Sequence, residues 1–230
     1  MSVELVIFGF ILMGVCAGFV YLFLRAFYRG SFINALIFKG VASLCFVIFA
    51  ALNCFTNEIS PSDVIIFVAL CLGIVGDEVI ALCQIFPKHD MRAFIGGGSS
   101  FLVGHLLYIT SLILLGGVSW IAMIVTLLSL MALGGWYSKR RGFLAGDTKV
   151  MLTLYLGIVI SFAAVAVGVF IKRPTFGTGL IAIGGLLFAV SDNILFAYKL
   201  GEKPKFRQNI ALHVAYYLAQ FSIAWSILFL

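Results

Sequence analysis

Charge is what this sequence has least of. Only 10% of its 230 residues are Asp, Glu, Lys or Arg, against roughly 25% in soluble domains. It has no polar stretch long enough to make a soluble domain and no low-complexity linker. Proline is scarce too. Pro61, Pro87, Pro174 and Pro204 all fall between apolar runs, so no run is broken by one. Cys16, Cys45, Cys54, Cys71 and Cys83 form no C-x-x-C pair, which argues against a zinc site or a disulfide framework and for small buried hydrophobes. The three histidines make no H-x-x-x-H or H-E-x-x-H pattern, so no metal is expected. A G-x-S-x-G elbow is missing, which argues against a serine hydrolase.

What is there is hydrocarbon-like. Residues with hydrophobic side chains make up 63% of the chain. Eight apolar runs stand out, at 3–24, 36–54, 63–84, 93–115, 118–137, 148–171, 177–199 and 209–229. Each is close to the ~17–25 residues that cross a hydrocarbon core as a helix. Backbone amides in lipid must pair within their own segment, so helices are expected. The reading is an all-α, polytopic membrane helix bundle, a single domain over 1–230. The first run has no basic start and no small-residue cleavage site, so it reads as a span and not a signal peptide. The 23 phenylalanines are spread over nearly all the runs, as lipid-facing or packing surface.

The basic residues orient the bundle. Arg25, Arg29, Lys39, Lys88, Arg92, Lys139, Arg140, Arg141, Lys149, Lys199, Lys203, Lys205 and Arg207 are assigned to the loops after the first, third, fifth and seventh runs, which makes 13 of the 15 Lys and Arg. The opposite side holds Lys172 and Arg173, with Glu4, Glu58 and Asp63. Basic residues concentrate in cytoplasmic loops, so both termini are expected on the lumenal or extracellular side. The net charge of +6 is therefore a topology signal and does not imply nucleic acid.

Against this background the acids inside the runs are anomalies. GIVGDEVIAL carries Asp77 and Glu78, and AVSDNILF carries Asp192, followed by Asn193. An acid at mid-helix in a bilayer costs about 2.5–3.5 kcal/mol on insertion scales and usually serves a function. Asp77 and Asp192 each lie about 10 Å from the cytoplasmic ends of their runs by helical rise, so they share a layer. The bland reading is an interhelical hydrogen bond. The functional reading is a carboxylate pair, one member protonated as acid and the other ionised as base. Glu78 points about 100° away from Asp77 on a helix. It either lines the same cavity or meets a basic partner.

Other polar residues reach that layer. His105 and Tyr108 stand i and i+3 on one face. His105 reads equally well as a buried imidazole satisfied by a neighbouring tyrosine or carbonyl. Tyr155 lies about 10 Å into the sixth run. His213, Tyr216, Tyr217 and Gln220 share a face of the eighth, with His213 nearest the membrane surface. Gly96, Ser100 and Gly104 form a small-residue stripe that lets a neighbouring helix approach, and Gly184 and Gly185 suggest the same for the seventh run. The Gly96–Gly98 triplet, at the expected start of the fourth run, could instead offer amides to a phosphate. AGDTK at 145–149 is similar to the G-x-G-D of intramembrane aspartyl peptidases, but position 144 is Leu, and Asp147 is better placed as a helix cap.

GDEVIAL at 76–82, FIGGGSSFLVGHLLYITSL at 94–112, SDNILFAYK at 191–199 and YYLAQFSIA at 216–224 together resemble the YhhN, or lysoplasmalogenase, family. The chain departs from the family pattern at Glu78, where an apolar residue is expected, and matches loosely around Asp147. Membership implies eight membrane spans and hydrolysis of the vinyl ether bond of 1-alkenyl lysophospholipids. The products would be a fatty aldehyde and glycerophosphoethanolamine or glycerophosphocholine. Vinyl ethers hydrolyse by protonation at carbon, which needs an acid and a carboxylate but no cofactor or metal. Asp77 and Asp192 are the expected catalytic pair. His105, Tyr108, Tyr155, Tyr217, Glu78 and Asn193 are the expected water- or substrate-positioning residues. The expected partners are the lysophospholipid and membrane lipids, and for a eukaryotic source the expected location is the endoplasmic reticulum membrane. Paired buried acids also suit a proton-coupled transporter or a lipid-binding membrane protein.

Overall fold

The structure, a computed structural model, describes residues 3–56, 59–141, 149–200 and 206–230. Glu58, Asp147, Lys203, Pro204 and Lys205 lie outside the described residues, as do the side chains of Arg140, Arg141, Lys149 and Lys199. The described backbone is helical almost throughout. Its α-helices are α1 (Val3–Tyr28), α2 (Phe32–Thr56), α3 (Pro61–Ile85), α4 (Asp90–Leu115), α5 (Trp120–Arg141), α6 (Lys149–Lys172), α7 (Phe176–Leu200) and α8 (Phe206–Ser226), with one 3₁₀ turn at Pro87–His89 before α4. Each expected run overlaps one helix; five lie wholly within it, and those at 118–137, 148–171 and 209–229 overrun α5, α6 and α8 by one to three residues. Six helices, α1–α4, α6 and α7, carry stretches long and apolar enough to cross a membrane. In α5 the apolar part is the shorter Trp120–Trp136. The chain is thus a multi-pass membrane protein by these six helices.

The ends of the helices explain several charges. Ser60 caps α3. Its hydroxyl accepts from the Asp63 amide at 3.2 Å, and the Asp63 carboxylate accepts from the Ser60 amide at 3.0 Å. Asp63 is therefore one half of a reciprocal cap, with Pro61 in the first helical turn where its missing N–H is harmless. At the end of α4 the chain turns through Gly116 and Gly117, both with positive φ (72° and 78°). There the Arg173 guanidinium donates to the Leu115 carbonyl, and its stem packs where a Gly117 side chain would stand. A basic side chain on the last carbonyls of a helix is favourable. Arg173, which ran against the orientation pattern, has this local role.

The helices form two compact units, Met1–Tyr108 and Ile109–Leu230. In the first, α2 packs on both α1 and α3, around fully buried Phe46, Phe49, Ile66 and Leu70. In the second, α7 packs on α5, α6 and α8, around Phe162, Ile181, Phe188 and Ile223. Phenylalanine does both jobs expected of it: Phe10 and Phe55 are exposed while these are buried.

Close helix approach rests on glycine, but not at the position the stripe suggests. In α4 the tight residue is Gly97. A Cβ there would meet Ile80 Cγ1 at 2.5 Å and the Gly76 carbonyl at 2.8 Å. At Gly96 the nearest atom, on Val79, is 3.4 Å away. Gly104 faces the Ala69 carbonyl at 3.3 Å, and Ser100 between them donates to the Leu72 carbonyl at 2.7 Å. Gly97, Ser100 and Gly104 thus line the seam against α3. Because α4 begins at Asp90, the Gly96–Gly98 triplet lies past its first turn. Its amides are not among the four a helix start leaves open, so the phosphate reading has no donors there. On α7, Gly184 faces Ile223 of α8 and Gly185 faces Ala163 of α6. Each glycine serves a different neighbour.

The seam predicts unequal effects within the triplet. Gly97→Ala overpacks the α3 contact and should destabilise the protein by about 1–3 kcal/mol. Gly98→Ala, with nothing within 4 Å of its Cβ, should be neutral or slightly stabilising. Unfolding in a denaturing-detergent titration measures both, and equal loss at the two positions would rule out this packing.

Candidate active-site residues

The first unit places Asp77 on the face of α3 that meets α2. The residue is 3% exposed. A bare carboxylate in that setting would be costly, and α2 answers it with two residues one turn apart. Lys39 Nζ is 2.9 Å from Asp77 Oδ1 and also donates to the Asp77 carbonyl at 3.2 Å. Ser43 Oγ donates to Asp77 Oδ2 at 2.6 Å. Both carboxylate oxygens are thereby held.

Lys39 corrects the sequence reading. It is not a loop residue marking the cytoplasmic side. It is buried on α2, 6% exposed, and is the counter-ion of Asp77. The loop count loses one residue and keeps its sign. The signal was present in the sequence: Lys39 falls inside the second apolar run with Ser43 four residues on, and a cation within a span is usually paired.

Glu78 lies beside this pair. Gly40, next to Lys39, leaves room for its carboxyl: a Cβ there would be 3.1 Å from Glu78 Oε1. Oε1 is buried with no hydrogen-bond partner among the described residues, and Lys39 and Asp77 both act on it electrostatically. On α4, His105 and Tyr108 share a buried face, with their rings edge to face and centroids 6.1 Å apart. His105 Nδ1 is 2.7 Å from the Phe101 carbonyl. A carbonyl only accepts, so Nδ1 carries the proton in that bond.

The second unit treats Asp192 in the same way with different residues. Tyr155 of α6 donates from its hydroxyl to Asp192 Oδ2 at 2.8 Å, and its ring packs edge-on against Phe196 one turn along α7. Tyr155 was expected at the depth of Asp192, and the structure makes it the partner. Asn193 points elsewhere, donating from Nδ2 to the Ala189 carbonyl at 2.7 Å. Along α8 the four polar residues share a buried face as expected, including Tyr217, whose ring meets Tyr216 edge-on at 5.1 Å. Gln220 donates to the Tyr216 hydroxyl at 2.8 Å. His213 is buried within the protein and donates to the Asn209 carbonyl at 2.8 Å.

Two acids in two units are each placed eight residues from the ends of α3 and α7. Each is buried, and each accepts a hydrogen bond from a hydroxyl on an adjacent helix. The family model described as the YhhN family matches residues 34–227, which holds both acids and every partner named above. The chain belongs to the YhhN family. No curated protein and no solved structure matches it. The YhhN match begins just ahead of Lys39, so the lysine and its acid lie within the matched region.

The ion pair makes a stability prediction. Lys39→Ala removes the ammonium paired with buried Asp77 and should destabilise the protein by about 3–5 kcal/mol. Lys39→Met combined with Asp77→Leu removes both charges and should recover most of that loss. Thermal unfolding in detergent reads both variants. An unchanged midpoint for Lys39→Ala would show that the pair is not buried in the folded protein.

Proposed function

We propose that this YhhN-family protein is a lysoplasmalogenase, hydrolysing the vinyl ether of 1-alkenyl lysophospholipids with Asp77 and Asp192 as its carboxylates. The observation that carries the reading is that each aspartate is buried in an apolar helix yet held in a defined pose by a hydroxyl, Ser43 for one and Tyr155 for the other. Asp77 forms an ion pair with Lys39, which suits the role of the ionised partner. Asp192, with the Tyr155 phenol as its neighbour, then supplies the proton.

In this scheme Asp192 protonates the alkenyl carbon remote from oxygen. The double-bond electrons form the new C–H bond, and the neighbouring carbon becomes an oxocarbenium ion stabilised by negative charge. Water adds to that carbon and gives a proton to Asp77. The resulting hemiacetal breaks its bond to the glycerol oxygen and transfers its hydroxyl proton there, releasing aldehyde and glycerophosphoethanolamine or glycerophosphocholine. One water is consumed, and proton return from Asp77 to Asp192 restores the starting state. Tyr155 orients Asp192. His105, Tyr108, Tyr217 and Glu78 are proposed to position water or substrate. Both termini are proposed to face the lumen or the outside, which puts the acids in the cytoplasmic half of the membrane.

Acid–base groups contribute roughly 10²–10⁴-fold to rate. Asp77→Asn and Asp192→Asn, in liposomes and at equal folded amounts, should each lower aldehyde release by at least about a hundredfold. The double variant should lose little more than either single one, because groups acting on one bond are not additive. Near wild-type release by either variant would sink the assignment. Tyr155→Phe should cost less, about tenfold, for the loss of one orienting hydrogen bond. A buried Lys–Asp pair also fits a proton-coupled transporter. Purified protein that releases no aldehyde from an alkenyl lysolipid would favour that reading.

A further inference from the structure

Within the second unit, α5, α6 and α7 enclose a cleft of about 260 Å³, lined by Leu130, Leu133, Ile160 and Ile194 together with Gly134 and Asn193. Small-molecule sites run roughly 300–1,000 Å³, so this one holds part of a chain and not a whole lipid. The Asn193 amide is the cleft's one side-chain acceptor. Its orientation is set by its bond to the Ala189 carbonyl: only the Nδ2 end can donate there, which turns Oδ1 away from α7's own backbone. Oδ1 is buried and has no hydrogen-bond partner among the described residues. It faces Gly134 on α5, where a Cβ would lie 3.5 Å away. The missing side chain leaves space before a carbonyl oxygen that needs a donor. Buried acceptors are rarely left unmatched, and the mismatch disfavours the empty state.

We propose that this cleft is the lipid subsite of the protein: it takes the chain-proximal part of a single-chain lysophospholipid, and Asn193 Oδ1 accepts the free 2-hydroxyl of its glycerol. The proposal rests on the hydrolase reading for the identity of the ligand. A lysolipid presents a donor at that carbon, while a diacyl lipid carries an ester with no donor and a second chain. The vinyl ether oxygen and the 2-hydroxyl are on adjacent glycerol carbons, and Asp192 and Asn193 are adjacent residues on α7. The aliphatic walls suit the hydrocarbon. Leu133 and Val190 at the cleft are exposed, 61% and 51%, which opens it to the hydrocarbon side. Asn193 is thus a selector for lysolipids over intact phospholipids.

The test uses binding, which does not require turnover. The intact protein in nanodiscs is titrated with 1-O-hexadecyl lysophosphatidylcholine, a saturated ether that cannot be hydrolysed at a vinyl bond, and with its analogue carrying hydrogen in place of the 2-hydroxyl. The wild type should bind the hydroxyl form about tenfold tighter, the value of one buried hydrogen bond. Asn193→Leu should erase that preference, leaving the deoxy analogue bound about as before. Gly134→Val, which fills the space before Oδ1, should weaken both ligands. Equal binding of the two ligands by wild type overturns the proposal, and so does a preference that survives in Asn193→Leu. Aldehyde release from the alkenyl lysolipid is measured in parallel. Release without the binding preference removes the subsite and leaves the hydrolase. The preference without release keeps the subsite and removes the hydrolase.

Discussion

A carboxylate inside a helix meant for hydrocarbon must find donors, and that requirement organises the polar architecture of this protein. Asp77 is held by an ammonium and a hydroxyl from one face of α2, with contacts of 2.9 and 2.6 Å. Isolated charges in a low-dielectric interior are far costlier than paired ones, so α2 and α3 are tied together at this level of the first unit. The pair is a fixed point for orientation more than a source of net stability, since desolvation offsets much of its Coulombic gain. Asp192 accepts a hydrogen bond from Tyr155, and Arg173 and Asp63 meet a similar demand at helix ends.

Short polar contacts require backbones that come close. Small residues supply that proximity where no hydrophobic driving force separates helix from lipid. Gly97 and Gly76 bring α4 against α3 closely enough for Ser100 to reach a carbonyl of α3. Gly184 and Gly185 let α7 touch α8 on one side and α6 on the other, which sets α7 beside the helix that carries Tyr155. Packing and polar satisfaction are coupled: a side chain added at these glycines would separate helices whose hydrogen bonds span only about 3 Å. The function proposed for this YhhN protein draws on the same coupling, since a carboxylate held in one pose by a neighbouring hydroxyl is prepared for proton transfer without reorganisation.

How much was legible in the sequence varies with the length scale of the signal. The eight helices follow from apolar runs whose lengths match a bilayer, and the structure moves their ends by only a few residues. Asp77 and Asp192 stand out because an acid in such a run is rare, and burial of both agrees. The shared face of His105 and Tyr108, and that of His213, Tyr216, Tyr217 and Gln220, follow from helical periodicity alone. Lys39 was misplaced because a basic residue near a helix end reads as a loop charge until its partner is known. Gly97 was missed in favour of Gly96 because the i, i+4 spacing of small residues does not say which side of the stripe the neighbour takes.

The sequence by itself determined the class of protein, its helices, its family and the presence of acids inside apolar runs. These are properties of composition, period and local order, each readable within one helix. Only the tertiary structure decided the partners: Lys39 and Ser43 for Asp77, Tyr155 for Asp192, Gly40 beside Glu78, and the unmatched oxygen of Asn193 facing Gly134. Each joins residues from different helices, 38 positions apart for Lys39 and Asp77 and 37 for Tyr155 and Asp192. No periodicity spans such a distance. The pairing is set by which helix faces meet and how closely their small residues let them approach, and that exists only once the helices have packed.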